Sequence, residues 1–151
     1  EPGKYKGRTN SSYWMAHDLY PETLKIAKKI AKRIGCNYRH FENFQVIHYN
    51  ENEEYKYHYD AYDMNETEKY KKFCGETGNR LRTVLVYLTD VEEGGGTGFD
   101  SLNQYNGEVI VEPKMGKMVV FNNLNDDGSL NMKSRHAGLP VIKGEKWAFN
   151  L

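Results

Sequence analysis

The strongest constraint on the fold is a series of short strand-like segments separated by turns rich in glycine and asparagine. Residues 44–49 and 81–88 are dense in β-branched and aromatic side chains, which favour strands. Further strand patterns cover residues 55–60, 107–111, 117–121, a stretch around His136, and residues 146–151. Many short strands with such turns are typical of a sandwich or barrel. We therefore predict a mainly β fold with a double-stranded β-helix (jelly-roll, cupin-like) core.

One helix is predicted to flank this core. Within residues 21–34 the apolar side chains recur every three or four positions and so form one helical face. Pro21 suits the first turn of this helix and Gly35 suits its end. The chain has 151 residues, a single-domain length, so we expect residues 1–151 to form one catalytic or binding unit.

Charge and hydropathy limit the possible partners. The 21 basic and 21 acidic residues balance, which disfavours a nucleic-acid partner. No apolar run approaches the ~18 residues that a membrane span needs. No signal-like segment is present, but the chain begins at Glu1 rather than Met, so the sequence does not indicate a compartment. We expect the endoplasmic reticulum lumen or secretory pathway for a eukaryotic protein and the cytoplasm for a viral or bacterial one. The sequence does not indicate an oligomeric state.

Two further features each allow two interpretations. Cys36 and Cys74 fit neither a disulfide framework nor a zinc site, and they either pair with each other or are both free. Residues 61–79 form a long polar segment with little strand signal, directly after His58 and Asp60. This segment is either a lid over a site or a disordered surface insertion.

His58 and Asp60 are the first candidates for chemistry. Residues two apart on a strand project from the same face, so this imidazole and this carboxylate can approach one metal ion. Two histidines and one carboxylate on one face of the ion, with the other positions open, form the facial triad of non-haem Fe(II) oxygenases. Among the other histidines, His136 lies in the C-terminal strand region and is the best third ligand. The alternatives are His17 and His40, near the helical region, and His48, for which a structural role is open.

Lys146 follows His136 by ten residues, across a turn at Gly144. An antiparallel return would bring it near the metal, where a buried cation needs an anionic partner. The far carboxylate of a dicarboxylate cosubstrate would be such a partner. For a lysine taken alone, exposure in a charged turn is the simpler interpretation.

Over nearly its whole length the chain resembles the catalytic domains of prolyl 4-hydroxylases, including the collagen and algal types. The resemblance covers GRTNSSYW (7–14), QVIHYNENEEYKYHYDAY (45–62), NRLRTVLVYLTDVEEGGGTGF (79–99), PKMGKMVVFNN (113–123) and HAGLPVIKGEKWAFNL (136–151). Its most specific element is the ordered set H-x-D, G-G-x-T, then His and Lys ten residues apart. The chain departs from the family pattern at Asp100, where a proline is usual, and at Leu151, after which a further aromatic residue is usual.

The resemblance implies a role for each matching residue. His58, Asp60 and His136 would bind Fe(II), and Lys146 would hold the distal carboxylate of 2-oxoglutarate. The other positions are Tyr49 and Thr97 for the cosubstrate pocket, Tyr55, Arg80 and Trp147 for the peptide substrate, and Thr83 and Leu85 for packing inside the barrel. For Trp147, a core role is the equal alternative.

The implied activity is hydroxylation of peptidyl proline at C4, using O2 and 2-oxoglutarate and releasing succinate and CO2. L-ascorbate would support it, and the partner would be a proline-containing peptide or protein. Two alternatives stay open: a related 2-oxoglutarate oxygenase acting on another side chain or a small molecule, and a catalytically silent jelly-roll binding protein.

Overall fold

The computed structural model describes residues 7–100 and 107–151. Its longest helix, α1 (Pro21–Ile34), has the bounds that the sequence predicts. Pro21 occupies the first turn, and Gly35 ends the helix in the left-handed conformation with φ 71°. Ala27, Ile30 and Ala31 are the buried residues of this amphipathic helix. Within residues 7–100 and 107–151, no helix is long and apolar enough to cross a bilayer.

The larger sheet has five antiparallel strands in the spatial order β1-β2-β11-β4-β8. These strands are β1 (Ser11–Met15), β2 (Phe44–Tyr49), β4 (Arg82–Tyr87), β8 (Met118–Asn122) and β11 (Lys146–Asn150). Because side chains alternate between the faces of a strand, this sheet contributes to two cores. On one face Phe44, Val84 and Phe149 pack against α1. On the other face Ile47, Leu85 and Ala148 pack inside the barrel.

The smaller sheet carries the strands that bear the histidine ligands. It has the order β3-β9-β6-β7, and its strands are β3 (Tyr55–His58), β6 (Thr97–Phe99), β7 (Val109–Val111) and β9 (His136–Gly138). A third, two-stranded sheet pairs β5 (Glu93–Gly94) with β10 (Val141–Lys143). The antiparallel sheets confirm the predicted mainly β fold with a jelly-roll core.

Several boundaries differ from the prediction. β3 ends at His58, so Asp60 lies in the bend after the strand rather than on it. The segment 61–79 contains a second helix, α2 (Thr67–Cys74), where a loop was expected. The two ends of the segment are joined by Asn79. Its side-chain oxygen accepts from the backbone N–H of Tyr62 at 3.0 Å, and its side-chain nitrogen donates to the carbonyl of Tyr62 at 2.7 Å. The segment therefore has helical structure and a hydrogen-bonded base, and its role as a lid stays a prediction.

Candidate active site

The end of β3 and the start of β9 bring the two predicted histidine ligands together. His58 and His136 are paired across these neighbouring strands, with ring centroids 4.4 Å apart. Asp60 folds back toward both: its Oδ1 lies 3.3 Å from His58 Nε2, and its Oδ2 lies 3.6 Å from His136 Nε2. One ligand atom from each of the three residues lies within 4.8 Å of the others. A single metal ion can therefore reach all three.

The two imidazoles are oriented by backbone carbonyls. His58 Nδ1 lies 2.7 Å from the carbonyl oxygen of Lys56, and His136 Nδ1 lies 2.8 Å from that of Ser134. A carbonyl only accepts, so each Nδ1 donates to its carbonyl, and each Nε2 faces the carboxylate of Asp60. Burial also lowers the pKa of His136, which favours the neutral ring. Both Nε2 atoms are thus ready to bind a metal.

Asp60 is held as a carboxylate by its neighbours. Burial alone would raise its pKa, but the hydrogen bonds and charges from His58, His136 and Thr83 outweigh burial and leave the pKa below its usual range. Thr83 Oγ1 donates to Asp60 Oδ2 at 2.7 Å. On the other side, Arg80 donates to the backbone carbonyl of Asp60 at 3.3 Å. Thr83 was predicted to be a packing residue, and this hydrogen bond corrects that interpretation.

The donor set fits Fe(II). Two neutral imidazole nitrogens and one carboxylate form the set that leaves coordination positions open for a cosubstrate and O2. Aromatic rings surround the histidines: Tyr55 stacks on His58 with centroids 3.7 Å apart, and Phe121 lies 4.7 Å from the ring of His136. These rings restrict water on that side of the site, which strengthens the electrostatic attraction between the ligands and a metal ion.

Lys146 lies inside the barrel, at the start of β11, where it pairs with Tyr49 of β2. It is 1% exposed, and its Nζ lies over the rings of Tyr49 and Tyr87, at 4.7 and 5.4 Å from the ring centroids. Burial lowers its pKa to about 8. Across residues 7–100 and 107–151, no carboxylate forms an ion pair with it. A buried ammonium without an acidic partner is costly, so this pocket fits the carboxylate of a ligand.

The predicted pocket residues Tyr49 and Thr97 surround the same space. Burial raises the pKa of both Tyr49 and Tyr87, so both hydroxyls stay protonated. Tyr87 Oη lies 2.6 Å from Thr97 Oγ1. Gly138 leaves room for Tyr49, because a Cβ at this position would lie 2.7 Å from the Tyr49 hydroxyl. Tyr87 was not predicted as a pocket residue, although its strand alternation with Thr83 and Leu85 placed it on the inward face.

A groove of about 920 Å³ adjoins the metal centre. Its walls include Asp60 and Thr83 together with the aromatic side chains of Trp14, Tyr62 and Phe73. Arg80, predicted to contact the peptide, also lines this groove. It forms a two-point pair with Glu42 at 2.6 and 3.0 Å, which fixes the guanidinium next to Asp60. Tyr55, the other predicted peptide contact, lies at the metal centre through its stacking on His58.

Trp147 lies on the opposite face of β11 from Lys146. Its ring stacks on His48 with centroids 4.1 Å apart, and its Nε1 donates to Glu145 at 3.2 Å. His48 also pairs with Glu145 at 2.8 Å, which agrees with a structural role for this histidine. These contacts place Trp147 on the face of β11 away from Lys146. It is 37% exposed, so it is not a core residue, and its contact with a substrate stays a prediction.

The two cysteines and Asp100 lie outside the metal-ligand set. Cys36 is exposed, Cys74 is buried, and both thiols are free. Asp100 accepts a hydrogen bond from Arg135, the residue before His136. This ion pair ties the end of β6 to the start of β9, where the metal ligand lies.

Comparison with known proteins agrees with this geometry. A family model described as the 2OG-Fe(II) oxygenase superfamily matches residues 44–151. "Probable prolyl 4-hydroxylase 10" of Arabidopsis thaliana is 36% identical over 155 residues, covering 93% of this chain and 52% of the relative. "Prolyl 4-hydroxylase subunit alpha-1" of Homo sapiens is 32% identical over 143 residues, covering 95% of this chain and 26% of the relative. The chain thus spans about half the length, or less, of these curated relatives.

The fold of the chain is also similar to that of solved prolyl hydroxylase structures. The viral collagen prolyl hydroxylase from Paramecium Bursaria Chlorella virus-1, in its 2OG complex, superposes with a TM-score of 0.74 at 29% sequence identity. The match covers 96% of this chain and 78% of that chain. A Pseudomonas putida prolyl-4-hydroxylase, 19% identical with a TM-score of 0.63, shares the fold.

Proposed function

The chain belongs to the 2OG-Fe(II) oxygenase superfamily, and from this premise we propose that it hydroxylates peptidyl proline at C4. It would use O2 and 2-oxoglutarate and release succinate and CO2. The observation that carries the proposal is Lys146, a buried ammonium over the rings of Tyr49 and Tyr87 that has no carboxylate partner within residues 7–100 and 107–151, in the same barrel as the His58–Asp60–His136 set. Holding a metal alone does not require such a lysine, whereas a dicarboxylate cosubstrate does.

Each part of the site has a defined task. Bound Fe(II) supplies the O2 chemistry, which no side chain of this protein can supply. His58, Asp60 and His136 would hold the ion, a three-residue set that leaves positions for the cosubstrate and O2. Lys146 binds the distal carboxylate of 2-oxoglutarate, and the hydroxyls of Tyr49 and Thr97 complete this pocket. Tyr87 fixes Thr97 through their 2.6 Å contact and presents its ring to the ammonium.

The groove beside the metal suits a proline-containing peptide. Polyproline II segments bind in aromatic-lined grooves because their backbone is already extended and loses little entropy on binding. Trp14, Tyr62 and Phe73 supply such a lining here. Arg80 lies at the metal end of the groove, where it can donate to a backbone carbonyl of the peptide while Glu42 holds it in place. The substrate is thereby oriented so that one proline ring faces the metal.

A peptide panel tests this proposal. The protein is loaded with Fe(II), 2-oxoglutarate and ascorbate under air and offered Pro-Pro-Gly repeats, Ser-Pro repeats, polyproline and a proline-free peptide. The mass of each peptide and the succinate formed are measured. His136→Ala removes a ligand, and His48→Ala is the matched control, because it removes a histidine on the outer face of the sheet.

We expect one added oxygen on at least one proline peptide with the wild-type protein and with His48→Ala, and none with His136→Ala. Succinate formed without peptide oxidation would keep the oxygenase and reject peptidyl proline as the target. Metal binding without succinate in any mixture would reject the proposed reaction and favour a silent binding protein.

A further inference from the structure

Asp60 stands at the end of a chain of hydrogen bonds that reaches deep into the barrel. Thr83 Oγ1 donates to Asp60 Oδ2 at 2.7 Å, and Asn123 Nδ2 donates to Thr83 Oγ1 at 2.8 Å. Asn123 has no exposed surface, and Thr83 is 6% exposed. Water therefore has little access to these two bonds.

The chain of hydrogen bonds has a fixed direction. A hydroxyl has a single proton to donate. The amide nitrogen of Asn123 can only donate, so Thr83 accepts from it and must direct its own proton to Asp60. If the amide were turned around, its oxygen would compete with Asp60 for that proton. Asn123 thus determines that the hydroxyl of Thr83 serves the carboxylate.

An unsatisfied atom accompanies this arrangement. Asn123 Oδ1 is buried without a hydrogen-bond partner among the described residues. Burying such an acceptor is unfavourable, and an apolar residue at this position would avoid it. The stabilising contribution of Asn123 therefore comes from its donor nitrogen, which forms the hydrogen bond to Thr83.

The backbone of Asn123 leads to a second ligand. Its carbonyl accepts from Asn131 N at 2.9 Å, and the carbonyl of Asn131 accepts from Ser134 N at 2.9 Å. The carbonyl of Ser134 in turn orients His136 through Nδ1. Asn123 therefore connects to Asp60 through its side chain and to His136 through its main chain.

We propose that Thr83 and Asn123 are positioning residues for the metal centre, with Asn123 as the common anchor of Asp60 and His136. The hydroxyl of Thr83 occupies Oδ2 and fixes the rotation of the carboxylate, so that Asp60 presents the same oxygen to the metal in every molecule. The inference rests on the metal site of the proposed function, but not on 2-oxoglutarate or proline as substrates.

Metal affinity tests the inference independently of turnover. Co(II) is titrated calorimetrically into metal-free wild-type protein, Thr83→Val, Thr83→Ser, Asn123→Leu and the Thr83→Val/Asn123→Leu double variant. Thr89→Val is the matched control: it removes a threonine hydroxyl just beyond the end of β4, one that accepts from Trp147 N rather than contacting Asp60. Thermal unfolding of each metal-free variant shows that it is folded.

We expect Thr83→Val to weaken Co(II) binding by about 10- to 100-fold, the range for residues that orient a metal ligand. Asn123→Leu weakens it by about tenfold, the lower end of this range. Thr83→Ser and Thr89→Val bind like the wild type. The double variant binds like Thr83→Val alone, because the chain of hydrogen bonds is already cut.

Wild-type affinity in Thr83→Val, or additive losses in the double variant, would overturn the inference. If Thr83→Val does not fold, unchanged affinity in Asn123→Leu overturns it. Tight Co(II) binding by wild-type protein that makes no succinate would instead reject the proposed function and leave this inference standing.

Discussion

Replacement of Lys146 by methionine should make the protein more stable and less able to bind its cosubstrate. Burial lowers the pKa of Lys146 from 10.5 to about 8. One pKa unit corresponds to about 1.4 kcal/mol, so holding this ammonium charged at pH 7 costs the fold about 3 kcal/mol. Cation–π attraction to Tyr49 and Tyr87 offsets roughly 1–2 kcal/mol of that cost. We expect Lys146→Met to raise the free energy of unfolding at pH 7 by about 1–2 kcal/mol.

The pH dependence of this effect has a defined sign. Between pH 8 and 10.5 the unfolded chain holds more protons at Lys146 than the folded protein does, so wild-type stability rises with pH through this window. Lys146→Met lacks that rise. Binding of 2-oxoglutarate has the opposite dependence, because it needs the charged amine. Only about a tenth of the ammonium remains at pH 9, so the apparent Kd should rise about tenfold between pH 7 and pH 9.

The assay combines urea unfolding at pH 7 and pH 9.5 with calorimetry of 2-oxoglutarate binding to Mn(II)-loaded protein, in buffers without phosphate or dicarboxylates. Lys146→Met should lose about 30-fold or more in affinity, since removing one partner of a buried charge pair costs roughly 2–5 kcal/mol. Lys146→Arg keeps the charge and should bind 2-oxoglutarate without the rise in Kd at pH 9. Unchanged or lower stability of Lys146→Met at pH 7, or full affinity for 2-oxoglutarate, would refute the reasoning.

Three other perturbations follow from the contacts. Gly138→Ala displaces the Tyr49 hydroxyl, which would lie 2.7 Å from the new Cβ. This variant should bind 2-oxoglutarate more weakly and Co(II) as tightly as the wild type. A parallel loss of Co(II) affinity would contradict this expectation. A maleimide should label Cys36 in the folded protein and Cys74 only after unfolding, as measured by mass spectrometry, whereas resistance of both thiols under denaturing conditions without reductant would reveal a disulfide. Phe149→Ala should lower the free energy of unfolding by about 3–5 kcal/mol in urea titration, and a loss below about 1 kcal/mol would contradict its packing against α1.

The elements that the sequence predicted well have clear ends and strong local patterns. α1 begins at a proline and ends at a glycine, and β2 matches its predicted span because four of its six residues are β-branched or aromatic. β1 was missed because its residues are mostly exposed on both faces, so no alternation marks it. α2 is polar and has one buried residue, Cys74, so its helical period is weak. β5 has two residues and forms through its long-range pairing with β10.

The part of the site that could be predicted is the part whose residues recur at fixed spacings along the chain, H-x-D and then His and Lys ten residues apart. His58, Asp60, His136 and Lys146 could be selected because ligand type and order along the chain constrain each other, and the structure brings the first three within reach of one metal ion. The residues that support Asp60 carry no such pattern. Asn123 reaches it only through Thr83, across two strands that are distant in sequence, and such contacts are determined by the packed barrel.

The central claim is that this site couples decarboxylation of 2-oxoglutarate to oxidation of a proline. We would supply the Fe(II)-loaded protein with 2-oxoglutarate, isotopically labelled O2 and the best proline peptide, and locate the label by mass spectrometry. The account predicts one labelled oxygen at C4 of a proline for each labelled succinate, and neither product with His136→Ala. Labelled succinate with an unchanged peptide would contradict it.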